Sequence, residues 1–537
     1  MTTITPFAAG SYVTNRNTSQ LLGLKNQLND LSTQLSTGLT AQTYGGLGTG
    51  RSTALAAQAT LSALTGYASG INAGQTRTDL AVTSLTQVAN LGSSTITTLN
   101  NGLQSTPINS TAAKSVAVSN LQTALDALNQ SAAGNYLFGG GNSATQPVVD
   151  ANTILNGATN SDGTHKAGLS DLISDQVTAD LGPDKNGRLV QTGPGDKDPA
   201  DPSGNKLGSN QIALSEDRNT ANPGNFGFSI ASTPIASTKA ISVQSTTASG
   251  AKHPVSFTLS VGSQPSVAAG DNVSLTLKMP DGTSTTLTLT AVASGTASSV
   301  SNTGATFAID SDPNVTASNL SSALSGALSA AANSTLTANS TQRAAANFFS
   351  GSVDKGVFPE RIKDPSGTPT YVTGTANDTV IWYQGEDKTA DARSTQSVQV
   401  SSTSKITTGV RANEPAIKDM LTGLATVAYG LPTASNANTG AAYQAVVDQA
   451  APLLSGANQS SSVQDIVSEL SNSSAQITNA GTRNTATQNI IQNTLDGIEQ
   501  APTEEVVAKL LDVQNRLQAS YQITSSLSKL SLVNYIS

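Results

Sequence analysis

The sequence predicts an α+β protein. A long antiparallel α-helical bundle or coiled coil is built from both termini, and a β-rich outer domain is inserted between them. Three observations carry this expectation. Near the N-terminus, leucines recur at three- and four-residue steps. From about residue 415 onward the same helical spacing returns. Between about 145 and 380 it gives way to short alternating runs punctuated by glycine, proline and aspartate.

A chain of 537 residues is long enough for several domains. The expected division is an N-terminal assembly helix at 1–45 and the N-terminal half of the bundle at 46–145. The β-rich insert follows at 146–380, the C-terminal half of the bundle at 381–500, and a C-terminal assembly helix at 501–537. Charged residues are only 12% of the chain and aromatics 4%, so little area is buried per residue. Long helices sharing thin seams suit that composition better than one dense catalytic core.

The first helix is read from Leu21, Leu24, Leu28, Leu31 and Leu35, an a/d seam that wants a helical partner. Gly38 is its expected terminator. After the loop "TYGGLGTGRS", the helical pattern resumes through Leu61, Leu64, Ala68, Ile71, Val82, Leu85, Ile96 and Leu99, until Pro107 breaks it. A third helix carries Val118, Leu121, Leu125 and Leu128 and ends at "AAGNYLFGGG".

In the middle region, "VSLTLKMPDGTSTTLTLT" reads as a hairpin around Pro280-Asp281-Gly282, and "VSFTLSV" as a further strand. One short helix is expected at 316–334, and 180–206 reads as a long polar loop. Farther on, Ile417, Leu421, Leu424 and Val427 mark a helix after Pro415, and Val463, Ile466, Leu470 and Ile477 another. The last helix carries Val506, Leu510, Val513, Leu517, Leu527 and Leu530. Thr503 is expected to cap it, with Glu504 and Glu505 at its positive end. The apolar ending "LSKLSLVNYIS" is expected to be covered by a partner.

Enzyme chemistry finds little material. There is no cysteine, which excludes disulfides and thiolate metal sites. The two histidines, His165 and His253, lack ligand-like spacing. "GGLGTGR" lacks the Lys-Ser/Thr ending of a phosphate loop. "GNYLFGGG" follows a helix, whereas a dinucleotide loop opens one. The pairs Glu386/Asp387 and Glu504/Glu505 read as solvated faces, and "DSDPN" at 310–314 falls short of a calcium loop. No catalytic, cofactor or metal residue is therefore expected, and the protein is not expected to be an enzyme. A net charge of −8, with no basic stripe, excludes nucleic acid as an expected partner. No run of about 18 apolar residues and no cleavable signal is read, so membrane insertion is not expected.

The ends resemble bacterial flagellins and their junction relatives. "NTSQLLGLKNQLNDLSTQLSTGL" is similar to the family's first helix, with Leu35-Ser36-Thr37-Gly38-Leu39 as its closing element. "LLDVQNRLQASYQITSSLSKLSLVNYIS" is similar to its last helix, with Leu530-Ser531-Leu532-Val533-Asn534-Tyr535 at the end. "GNYLFGGG" and "IWYQGED" resemble two inner motifs of the hook-associated branch at the hook–filament junction. They supply Tyr136, Phe138, Gly139 and Gly140 on one side and Trp382, Tyr383 and Gly385 on the other. "TYGGLGTGRS" departs from the Asp-rich segment of filament flagellins.

The resemblance implies a structural subunit joining hook to filament. It implies export through the flagellar type III channel without a cleaved signal peptide, an extracellular location on the flagellum, and terminal helices that form a coiled coil on assembly. The implied partners are further copies of the chain, other axial proteins (hook-associated proteins, flagellin) and an export chaperone. A filament flagellin is the alternative expectation, and an extracellular adhesin or binding protein the second. The two inner motifs are expected to pair as short strands at a neck, where Gly139, Gly140 and Gly141 turn the chain toward the insert.

Overall fold

The computed structural model describes residues 6–198, 205–217, 225–247, 254–433, 438–457 and 459–536, without the side chains of 6–11, 13, 247, 254, 527, 528 and 530–536. It is a mixed α+β chain. The helices are α1 (Pro6–Thr37), α2 (Arg51–Gln104), α3 (Ser110–Ala127), α4 (Ala151–Asn156), α5 (Leu169–Leu181), α6 (Pro313–Ala331), α7 (Thr337–Phe349), α8 (Pro415–Gly430), α9 (Thr439–Ser455), α10 (Val463–Glu499) and α11 (Thr503–Ile536).

The chain divides into two compact units. One holds Met1–Ala73, Gln399–Lys405 and Gln476–Ser537; the other holds Gly74–Val398 and Ile406–Ala475. The division falls inside α2 and α10.

In the first unit, α1 stops where Gly38 takes φ +70° and its amide donates to Gln34 O at 2.8 Å. Thr40 N then donates to Glu499 O at 2.7 Å and Ala501 N to Gly38 O at 2.9 Å. This bridge joins the end of α1 to the start of α11, and the two helices pack along each other in opposite directions. The first part of α2 packs on the last part of α10 through small residues. Ala54 and Ala57 are buried with Leu495, and Asn484 Nδ2 donates to Leu64 O at 2.9 Å. This seam is alanine-rich, so its helices approach closely but bury little area per turn.

Among the described residues, the second unit has two large hydrophobic clusters and a small one of Ala179, Phe226 and Ile362. The larger gathers α3, α7, α8 and α9 around Phe138, Trp382 and Tyr383. Its expected helical residues Leu121, Leu125, Leu128, Ile417, Leu421, Leu424 and Val427 are all buried. The other large cluster packs α6, through Leu320, Leu324 and Leu328, with strand residues.

One sheet runs Leu189–Thr192, Gln211–Glu216, Pro254–Val261, Ile241–Thr247, antiparallel throughout. A six-stranded sheet contains the expected hairpin, Asn272–Lys278 with Ser284–Val292. Val273, Leu275 and Leu277 face Leu289, Leu287 and Thr285 across it, so alternation buries one face. Gly304–Ala308 adds to it in parallel.

The insert is more helical than the sequence suggests. α4 and α5 lie inside it, and α6 continues through a π-helical turn (Ala332–Leu336) into α7, well past residue 334. Alanine-rich amphipathic segments carry a weak periodicity signal, which accounts for the shortfall. The stretch 180–206 is likewise not all loop: Leu189–Thr192 is a strand, and Arg188 just before it is buried. α9, which tolerates Pro452 in its last turn, was also not expected.

Candidate functional site

Two places hold the residues singled out from sequence. The first is the α1–α11 pair. Leu21, Leu24, Leu28 and Leu31 are half-buried, while Leu35 is 41% exposed. On α11, Val506 and Val513 are buried and Leu510 and Leu517 half-buried. The side chains of Leu527 and Leu530 lie outside the described residues, as does His253. Each half-buried leucine contributes about 1 kcal/mol, so the pair is held thinly. A second set of apolar side chains faces solvent: Leu22 (56%), Leu511 (54%) and Ile523 (59%). Glu505 pairs with Lys509 on the exposed surface.

The second place is the neck. Trp382 and Tyr383 are fully buried, and Phe349 meets the indole edge-on at 5.3 Å. The indole Nε1 donates to Phe349 O at 2.9 Å and the Tyr383 hydroxyl to Glu386 O at 3.0 Å, so both rings keep their polar ends paired. Burial pushes the Tyr383 phenol far above its ordinary value. Tyr136 is half-buried, and Leu137 and Phe138 are both buried, so the segment does not alternate as a surface strand would.

The two motifs meet, but not as one simple strand pair. Ala412 N donates to Phe138 O at 2.9 Å and Gly140 N to Val410 O at 3.3 Å, so a third segment takes the ladder beside the glycines. Pro147–Val149 pairs with Trp382–Gln384 instead: Val149 N donates to Trp382 O at 3.0 Å and Gln384 N to Pro147 O at 2.8 Å. Glu386 N closes the gap by donating to Gly139 O at 3.0 Å. A side chain at Gly385 would strike Tyr383 and the Gly139 backbone.

The three glycines do not release the chain outward. Asn142 N donates to Gly139 O at 3.2 Å and Tyr136 N to Ser143 O at 2.8 Å, so the segment turns back on itself. Gly140 takes φ +62°, and a β-carbon there would sit 3.0 Å from both Arg411 Cγ and Glu386 Oε2. Gly141 has no such constraint; its nearest neighbour is 3.8 Å away.

Charge surrounds this turn. Arg411 Nη1 lies 3.5 Å from Asp387 Oδ1 and 4.0 Å from Glu386 Oε2, and donates to Thr389 O at 2.8 Å. Asp387 is buried, which corrects the expectation of a solvated pair. Burial pushes its carboxyl up, but the Asn413 amide, the Ser352 hydroxyl and the Lys355 ammonium outweigh that and hold it below the ordinary carboxylate range. Arg393 clamps Glu414 (2.6 Å) and Glu469 (2.9 Å); Glu414 is pushed up by burial against the pull of Arg393. Arg411 and Glu414 escaped the sequence reading. Their only signal was "GVRANEP", a basic and an acidic residue crowded before a helix start.

No protein-family model, curated protein or solved structure matches this chain.

The other candidates have local roles. "YGGLGTG" forms a 3₁₀ connector between α1 and α2. His165 Nε2 meets Asp171 Oδ2 at 2.9 Å on the surface. Asp312 caps α6, accepting from Asn314 N at 2.9 Å, with Asp310 bracing the turn. Among the described residues, no group of three or more His, Cys, Asp or Glu could hold a metal ion, and no helix is long and apolar enough to cross a membrane.

Proposed function

We propose that the chain is a flagellin-like structural subunit of the bacterial flagellum, joining hook to filament. The observation that carries this reading is the α1–α11 pair. Its inner seam is thin, and a second apolar set (Leu22, Leu511, Ile523) is left facing solvent. Long helices with apolar residues on two sides suit a wall in which each helix has like neighbours. Burying those residues against other copies adds about 1.5–3 kcal/mol per fully covered side chain, enough to drive polymerisation. The partners are further copies of the chain and other axial proteins, and the location is extracellular.

The neck supports the junction branch in preference to the filament. Its glycine and aromatic motifs resemble those of the junction proteins and come together around the buried Phe138, Trp382 and Tyr383. The filament reading shares the same helices and differs in copy number. Deleting 503–537 tests the proposal: the truncated chain is expected to be absent from flagella and to stop filament growth. A truncated chain that still enters flagella and supports filaments defeats it.

A further inference from the structure

A cleft of about 270 Å³ opens in the second unit where α2, α8, α9 and the start of α10 meet; Val463 and Gln464 belong to its lining, and Asp465 offsets the positive end of α10 there. Ile96, Met420 and Leu454 form its apolar wall, and Asp419 of α8 lines it. Asp419 is half-buried, and among the described residues no hydrogen bond or ion pair reaches its carboxylate. The carboxylate still reaches water, and a cation beside it would offset its partial desolvation. Lys418, next in the chain, acts on it only through space, against the larger effect of burial.

A second observation points the same way. α9, 17 residues long, ends at this cleft, and Ser455 and its left-handed cap Gly456 (φ +70°) are part of the lining. The last turn of α9 contains no basic residue, so its negative end is uncompensated from within the helix. Asp465, the other carboxylate of this corner, is already engaged by Ser462 N at 2.8 Å. A carboxylate, a helix C-terminus and an apolar wall together match a cationic head on a short alkyl stem.

We infer that the Asp419 cleft binds an alkylguanidinium or alkylammonium group, with the cation against Asp419 and the end of α9 and the stem along Ile96, Met420 and Leu454.

Calorimetric titration of the full chain with n-butylguanidinium, against its neutral isostere n-butylurea, tests this. The expected result is binding of the cation at least tenfold tighter than the urea, with the difference abolished in Asp419→Asn. Equal affinity for the two ligands, or an unchanged preference in Asp419→Asn, overturns the inference. Ser93→Arg, at the exposed lining of the cleft, provides a check if the first variant misfolds: its own guanidinium should weaken butylguanidinium binding about tenfold, and unaltered binding counts against the site. Sedimentation with and without saturating butylguanidinium then separates two sources of the group. Dissociation of an oligomer assigns it to an arginine or lysine of another copy, and unchanged sedimentation assigns it to a free cation; both agree with the inferred chemistry.

Discussion

The backbone amide of Glu386 donates to the carbonyl oxygen of Gly139 at 3.0 Å. This one bond joins the two motifs that the insert separates in sequence. It also sets Glu386 beside Gly140, where a β-carbon would crowd both Arg411 Cγ and the Glu386 carboxylate at 3.0 Å.

Gly140→Ala should therefore lower unfolding free energy by about 2–3 kcal/mol, from a positive φ combined with crowding. Gly134→Ala, also at positive φ (+77°) but with open space around it, should cost only about 1 kcal/mol. Urea unfolding followed by the fluorescence of Trp382, the only tryptophan and fully buried at the neck, measures both.

Removing the Arg411 guanidinium takes away one of two cations beside buried Asp387, leaving Lys355 Nζ at 3.1 Å, together with the bond to Thr389 O. Arg411→Met should destabilise by about 1–2 kcal/mol. Adding Asp387→Asn should recover a large part of that loss. A double-mutant cycle that comes out additive would mean the two charges are not coupled.

The buried aspartates respond to pH in opposite senses. Asp387 is held low in the folded state, so its contribution is present above its unfolded value near 3.8 and is lost as the pH falls through the folded value. The stability difference between wild type and Asp387→Asn should therefore shrink toward pH 3. Asp180, in the insert, is raised by burial despite Arg343, Ser340, the Gly227 amide and Gln176. Its contribution is greatest below the unfolded value and is lost as the pH rises through the folded one. The difference between wild type and Asp180→Asn should grow toward acid. Denaturant midpoints measured from pH 3 to 7 report both.

On α11, inner and outer apolar residues should separate cleanly. Val513→Asp puts a charge into the buried seam and should open both α1 and α11 to limited proteolysis. Leu511→Ser, at a position 54% exposed, should leave the protease pattern unchanged and shift stability by no more than about 0.5 kcal/mol. Its effect should fall on self-association, read by sedimentation.

The helical frame was legible because leucine spacing reports a buried stripe: the leucines of α3 and α8 are fully buried, whereas the described seam residues of α1 and α11 are mostly half-buried and Leu35 is exposed. The hairpin at 272–292 was legible because alternation and a Pro-Asp-Gly turn agree. α7 and α9 were not, since alanine, serine and threonine on their faces blur the contrast that periodicity needs; α5 carries Leu169, Leu172, Ile173, Val177 and Leu181 at helical spacing, a short signal set among turn residues. At the neck, the glycines and aromatics stood out by composition. Arg411 did not, because its importance comes from a segment brought beside Gly140 only by the tertiary fold. The return of the chain at Gly139–Asn142 was missed for a related reason: three glycines permit a turn in any direction, and the hydrogen bonds that choose one are made with distant residues.

Immunogold labelling of intact flagella with antibody to this chain tests the assembly role most directly. A single band at the hook end is the predicted result. Label along the whole filament would move the protein to the filament reading, and flagella without label would contradict the account.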